Sequence, residues 1–241
     1  MTGDATPHDF ETTLRSLAGT GREDLAQPFL RLFPVTGASV ATLGPVLGSE
    51  TISASDDVSA RLDELQFDLG EGPCWVAMRT GAAVVDIDLP GNADARWPTL
   101  APAVGALGVC AVYAFPIRVG PLQLGAVDLW SDRPADLSDV HRRRAGELAR
   151  SVSRIVLRTA LEDVADDEDM RPVGARSRRL VHQATGKVLV QAGVTPDDAH
   201  LLIQGLAFSS GRRVIDVSED IVSGRLSFAA TDGGIEENDH E

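Results

Sequence analysis

Apolar residues along the first third of the chain recur at helical spacing and then at strand spacing. Phe10, Leu14 and Leu17 fall at i, i+4 and i+7, and Leu25, Phe29, Leu32 and Phe33 repeat such a face, so two short helices are predicted. Residues 38–43 read as a strand, with 50–54 as its hairpin partner across Gly44-Pro45 and Gly48. A short helix over 58–65 is ended by Leu69-Gly70-Glu71-Gly72-Pro73. Pro73 suits the first turn of the next helix, which runs through Cys74 and Met78 to Gly81. Residues 83–87 give another strand, and 97–107 a helix closed by Gly108.

The β-rich runs 109–117 and 122–130, joined across Val119-Gly120-Pro121, form the clearest hairpin pattern. Ser138 or Asp139 then caps a long helix whose apolar positions Ala145, Leu148, Ala149, Val152, Ile155, Val156 and Ala160 keep a 3–4 spacing. That stripe serves either as a dimer seam or as packing against its own sheet. The element order predicts an α+β domain on an antiparallel sheet. Six of the eight residues in 162–169 are acidic, and such a run resists folding, so a linker over 162–175 is expected.

Helical spacing resumes at Leu180, Val181, Ala184 and Val188, with Gly193 as a C-cap. Thr195-Pro196-Asp197-Asp198 is a helix start: Thr as N-cap, Pro in the first turn, and acids where the helix dipole favours them. That second helix carries Ala199, Leu202, Ile203, Leu206 and Ala207, and Phe208 is grouped with these apolar positions. After Ser209-Ser210-Gly211, a third helix presents Val214, Val217, Ile221 and Val222. Three helices in so few residues bury little surface, which predicts support from a partner copy or from the preceding domain.

Charge separates these regions. The chain of 241 residues has a formal charge of -14, but residues 1–170 hold 14 Arg against 26 acids, and 171–228 hold 8 Lys and Arg against 5 acids. The middle module is therefore basic by +3, and 229–241 adds five acids and no base. The expectation for 227–241 is an acidic disordered tail able to mask the basic module.

Composition removes several chemistries. Hydrophobic residues make up 43%, enough for a core. No stretch has the ~18 apolar residues of a membrane span, and the start Met1-Thr2-Gly3-Asp4 does not read as an export signal. A soluble cytoplasmic chain is expected, with Cys74 and Cys110 reduced. The five histidines are too scattered for metal-ligand pairs, and phosphate-loop and nucleophile-elbow motifs are missing from the sequence. The expectation is a non-enzyme without metal or cofactor.

Residues 20–161 resemble a GAF domain through Leu69-Gly70-Glu71-Gly72-Pro73-Cys74, Ala95-Arg96-Trp97-Pro98, Gly108-Val109, Ala114-Phe115-Pro116-Ile117 and Leu124-Gly125-Ala126-Val127, behind an N-terminal helix within 1–19. Residues 176–226 resemble an ANTAR domain, a small all-α three-helix RNA-binding module. The matching residues are Val181, Gln183-Ala184, Gly186 and Leu189, then Gly193-Val194-Thr195-Pro196-Asp197-Asp198-Ala199, then Arg212-Arg213, Asp216-Val217 and Ile221-Val222. Together the resemblances imply a homodimeric transcription antitermination regulator. It would bind hairpin RNA in nascent transcripts, under control of a small-molecule ligand in the GAF-like domain.

The residues for such binding are Arg178, Arg179, Lys187, Arg212 and Arg213, since RNA hairpins are gripped through phosphates by Arg and Lys. The sequence departs from the family at Thr185, where a basic residue is common, near Gln204-Gly205, where basic or polar residues are common, and at Gly211, where Asn is common. An adaptor whose helical domain binds a protein is the alternative. DNA reading is disfavoured by Asp216, Glu219 and Asp220 along the third helix. Cys74, behind Pro73 at a helix start, is either a sensing thiol of lowered pKa or buried packing. Trp97 is a pocket wall or a core lid, and Arg142-Arg143-Arg144 a solvated helix face.

Overall fold

The structure, a computed structural model, describes residues 6–43, 47–89, 96–134, 136–165, 173–231 and 234–239, with the side chains of 7, 163–165, 173–179, 197 and 230–239 left aside. The chain divides into two compact units, 1–170 and 171–241.

In the first unit, α1 (Pro7–Ser16) starts at Thr6, whose hydroxyl accepts the Asp9 N–H while the Asp9 carboxylate accepts the Thr6 N–H. α2 (Gln27–Leu32) follows. Strands β1 (Gly37–Thr42), β2 (Glu50–Ala54), β3 (Val84–Asp86), β4 (Ala111–Val119) and β5 (Leu122–Ser131) form one antiparallel sheet in the order β2-β1-β5-β4-β3. Between them lie α3 (Asp57–Leu69), α4 (Pro73–Thr80) and α5 (Leu100–Gly105), and α6 (Asp139–Ala165) follows the sheet.

Strand alternation sorts the core into two layers. Ala111, Tyr113, Phe115 and Ile117 of β4 join Val127 and Leu129 of β5 and the apolar side of α1, α2 and α6. Val112 and Ala114 point the other way, with Trp130, into the layer made by α3, α4 and α5. Within α6, Ala145, Leu148, Ala149, Val152, Ile155 and Val156 are all buried in the first layer. The α6 stripe therefore packs on its own sheet and is not free to form a dimer seam. Phe10 and Leu17 lie in the same core, so the N-terminal helix belongs to this unit.

The second unit holds α7 (Val173–Ala192), α8 (Pro196–Ser210) and α9 (Val214–Ser223), the three expected helices. Two expectations change. α6 continues to Ala165 and α7 begins at Val173, so both helices run into the expected 162–175 linker; Glu162, the first acid of the segment, is exposed on α6, where a charge is compatible with helix. The stretch 227–241, expected to be disordered, carries a hairpin instead: β6 (Leu226–Thr231) pairs antiparallel with β7 (Gly234–Asp239). Leu226 and Phe228 are buried, β6 packs on α7 and α9, and the Phe228 N–H donates to Gln191 Oε1 at 3.1 Å. Counting charge hid the period-2 alternation that makes this strand.

Because Leu148 is buried within the first unit, Leu148→Ala should cost about 2–5 kcal/mol of stability in denaturant unfolding and leave the mass by light scattering unchanged. A lower mass at unchanged stability would restore the stripe to a dimer seam.

Candidate nucleic-acid interface and sensor interior

The ends of α8 and α9 place the basic side chains of the second unit. Thr195 caps α8, its hydroxyl accepting the Asp198 N–H at 3.2 Å. α8 ends at Gly211 in the left-handed region, φ +66°, where glycine carries no steric penalty. The chain then turns back, with the Arg212 N–H donating to Ala207 O at 2.9 Å. Arg213 occupies the N-cap of α9 without capping it through its side chain. Instead it forks onto Asp216, Nε at 3.0 Å and Nη2 at 2.7 Å. Arg212 pairs with Asp220, and Arg225, just past the Gly224 C-cap, reaches the same carboxylate at 2.6 Å.

The guanidinium of Arg213 holds Asp216 below the usual carboxylate range, and Arg212, with Arg225, does the same for Asp220. Lys187 is exposed, and its ammonium donates to Ile221 O at 3.2 Å and Val222 O at 2.7 Å, the carbonyls ending α9. That position favours a cation, because the last carbonyls of a helix carry its negative dipole end. Lys187 thus ties α7 to α9.

The predicted residues accordingly separate. Arg212 and Arg213 come together at one end of α9, and Lys187 lies at its other end on backbone carbonyls. Arg178 and Arg179 belong to α7, with side chains outside the described residues. Arg225 joins Arg212 on Asp220 and was missed in the sequence; its position directly after a helix-ending glycine was the available signal. Phe208, grouped with the core positions in the sequence, is 64% exposed. The unit therefore does present an aromatic side chain to solvent.

In the first unit, polar groups gather beneath α3 and α4. Asp63 accepts the Ser39 hydroxyl at 2.9 Å. The Gln66 amide donates to Asp128, and its oxygen accepts the Cys74 N–H at 3.0 Å. Asp63 Oδ2 and Asp128 Oδ1 are buried without a hydrogen-bond partner. Burial pushes Asp63 well up, reinforced by Asp128, and raises Asp128 to about 7. The Cys74 thiol is pushed up by burial and then by these two carboxylates, so its place at a helix start does not make it a reactive thiolate. Cys74 and Cys110 are both free.

The short motifs of this unit have structural duties. Gly70 ends α3 at φ +61°, and Gly72, at φ +134°, lies against the Gln66 side chain where a Cβ would collide. Glu71 between them accepts the N–H groups of Thr99 and Leu100 at 3.2 and 3.4 Å, capping the start of α5. Trp97 is buried and donates to Asp86 at 3.0 Å, a core lid. Arg142 pairs with Asp136 and Asp139 at 2.8 and 2.7 Å. An open groove of about 420 Å³ between α6 and the end of β4 is lined by Val119, Arg154, Leu157, Arg158, Leu161 and Glu162. Among the described residues, no group of three or more metal-ligating side chains converges and no helix is long and apolar enough to cross a membrane.

Comparison with known families matches residues 10–157 to the GAF domain and residues 174–222 to the ANTAR domain. The hairpin lies beyond the second match. Among solved structures, the GAF domain of a phosphoenolpyruvate-protein phosphotransferase from Coxiella burnetii is 11% identical, with 66% of this chain and 99% of that chain covered at a TM-score of 0.51. The corresponding Acinetobacter domain is 9% identical, covering 68% and 96% at 0.49. A sensor histidine kinase domain from Sinorhizobium meliloti is 17% identical, covering 69% and 100% at 0.43. At such identities the likeness concerns the fold alone. No curated protein matches the chain.

Two outcomes follow from the interior. In the native protein a thiol reagent should label Cys110, which is partly exposed, and spare Cys74, with both labelled after unfolding; rapid native labelling of Cys74 would contradict its burial. Asp128 is raised when folded, so it holds its proton while the unfolded chain ionises, and stability is lost as pH rises from about 4 to about 7. Asp128→Asn should therefore raise the melting temperature by several degrees at pH 8 and by little at pH 4. Equal effects at both pH values would show that Asp128 is ionised when folded.

Proposed function

The chain belongs to the GAF-domain family and carries an ANTAR domain behind it, and on that premise we propose a transcription antitermination regulator that binds hairpin RNA. The C-terminal unit makes the contact, under control of a small molecule sensed by the GAF domain. No reaction is assigned to the chain, and a cytoplasmic homodimer suits a protein acting on nascent transcripts with two hairpins.

The observation that carries this reading is the set of arginines around α9. Arg212, Arg213 and Arg225 keep side-chain exposures of 40%, 52% and 57% while paired with Asp216 and Asp220. The exposed Arg213–Asp216 pair is worth about 0–1 kcal/mol, so an RNA phosphate can displace that carboxylate and take over the same planar fork, whereas Asp220, 19% exposed and shared by two guanidinium groups, is displaced less readily. The pairs also set a cost: each phosphate contact competes with an acid on the same helix. Binding is then modest, salt-sensitive and dependent on several contacts at once.

A second reading, a protein-binding adaptor, is favoured by the same carboxylates, which already neutralise the arginines, and by the exposed apolar side chains of α8. Titration of the full chain with a two-hairpin RNA and a single-hairpin control, at low and moderate salt, separates the two. The RNA reading expects salt-sensitive binding that prefers the double hairpin. Arg212→Ala with Arg213→Ala should then flatten the salt slope by up to about two units. Absence of binding at low salt, or an unchanged slope, would favour the adaptor.

A further inference from the structure

Among the described residues of the C-terminal unit the exposed large apolar side chains are Val190 on α7, which stands alone on its helix, and a pair on α8. Leu201 is 62% exposed and Phe208 64%, although large apolar side chains usually turn inward. They stand two helical turns apart and share one face, with Gly205 between them. A Cβ added at Gly205 would meet nothing within 4 Å, so the backbone there is open to close approach. From Leu201 to Ser210 the helix has no charged residue. Its first turn carries Asp197 and Asp198, and the turn after it carries Arg212 and Arg213.

We propose that this face of α8 pairs with the same face of a second copy of the chain, antiparallel about a two-fold axis near Gly205. Leu201 and Phe208 lie at equal distances from the 204–205 midpoint. Antiparallel pairing therefore seats Phe208 of one copy on Leu201 of the other, twice. Near a two-fold axis each residue meets its own like, so any charge there repels its counterpart. The uncharged stretch from Leu201 to Ser210 fits that requirement, and Gly205 lets the helices come close at the axis. Towards the rim the charges become complementary: the acidic first turn of one copy faces the arginine turn of the other, and the helix dipoles oppose. RNA fits this face less well, because phosphate contact needs Lys or Arg and the stretch supplies neither.

One helix pair buries less than the ~1,200 Å² of a stable interface, so the contact alone is weak and depends on concentration. It deepens the RNA reading, since two hairpins in one transcript would hold two units together and raise their effective concentration. Pairing is nevertheless measured without RNA, so its failure and the failure of the RNA reading are distinguishable.

The test is disulfide trapping in the full chain carrying Gly205→Cys. Under mild oxidation a covalent dimer should form much faster than in the parent chain or in a His182→Cys control on α7. Adding Phe208→Asp, or separately Leu201→Lys, should slow trapping about tenfold, the effect of about 1.4 kcal/mol. Mixing these two chains should restore the rate, because one contact becomes an ion pair and the other remains Leu201 on Phe208. Melting temperatures near that of the parent confirm folding; a variant that melts early is replaced by Leu201→Ser or Phe208→Ser, with the same slowing expected. Trapping no faster than the control, or unaffected by either substitution, overturns the pairing. A mixture as slow as its components overturns the antiparallel register. Loss of RNA affinity on Phe208→Asp with trapping unchanged would assign the face to RNA bases.

Discussion

Asp220 receives guanidinium groups from both ends of α9, Arg212 from the turn before the helix and Arg225 from the residue after its cap. Asp216 holds Arg213 in the same manner one turn earlier. These two carboxylates hold the turn between α8 and α9 and pair the three arginines around that helix. Lys187 is held on the α9 carbonyls, so each of the described Lys and Arg side chains of the unit already has a partner. In the proposed RNA reading, a phosphate that binds there replaces an existing partner.

The GAF unit is organised by a different constraint. Its sheet is covered on both faces, and the layer beneath α3 and α4 encloses two carboxylates with one oxygen each unmatched. Gln66 bridges this layer by bonding both Asp128 and the Cys74 N–H. The Gly70-Glu71-Gly72 turn sets that bridge and caps α5 through Glu71. The motif that carries the family likeness is thus accounted for by packing and capping, and the thiol beside it is kept inert by burial.

Much of this was legible in the sequence for local reasons. Pro73 and Thr195 announce helix starts, Gly81 and Gly211 helix ends, and the β-rich runs 109–117 and 122–130 give the hairpin β4-β5, whose second strand is the centre of the sheet. The stripe in α6 was equally visible, but periodicity alone does not say whether it meets a sheet or a second copy. Phe208 was misplaced because apolar character was taken as burial, and only the packing of α7 and α9 decides which side of α8 faces inward. The hairpin was hidden by its own acids. The pairing of Arg212 with Asp220 depends on the angle at which the chain turns at Gly211, which no residue spacing specifies.

In the proposed RNA reading, Asp216 and Asp220 enter into competition with phosphate for the arginines around α9, a competition set by their ion pairs. Its most direct test is the affinity of the full chain carrying Asp216→Asn and Asp220→Asn for a two-hairpin RNA at low salt, compared with the parent. Release of the arginines predicts binding tighter by several-fold, with the gain fading as salt rises. Unchanged or weaker binding by a folded double variant would contradict the claim, and would mean that these arginines serve the fold of the unit and not RNA.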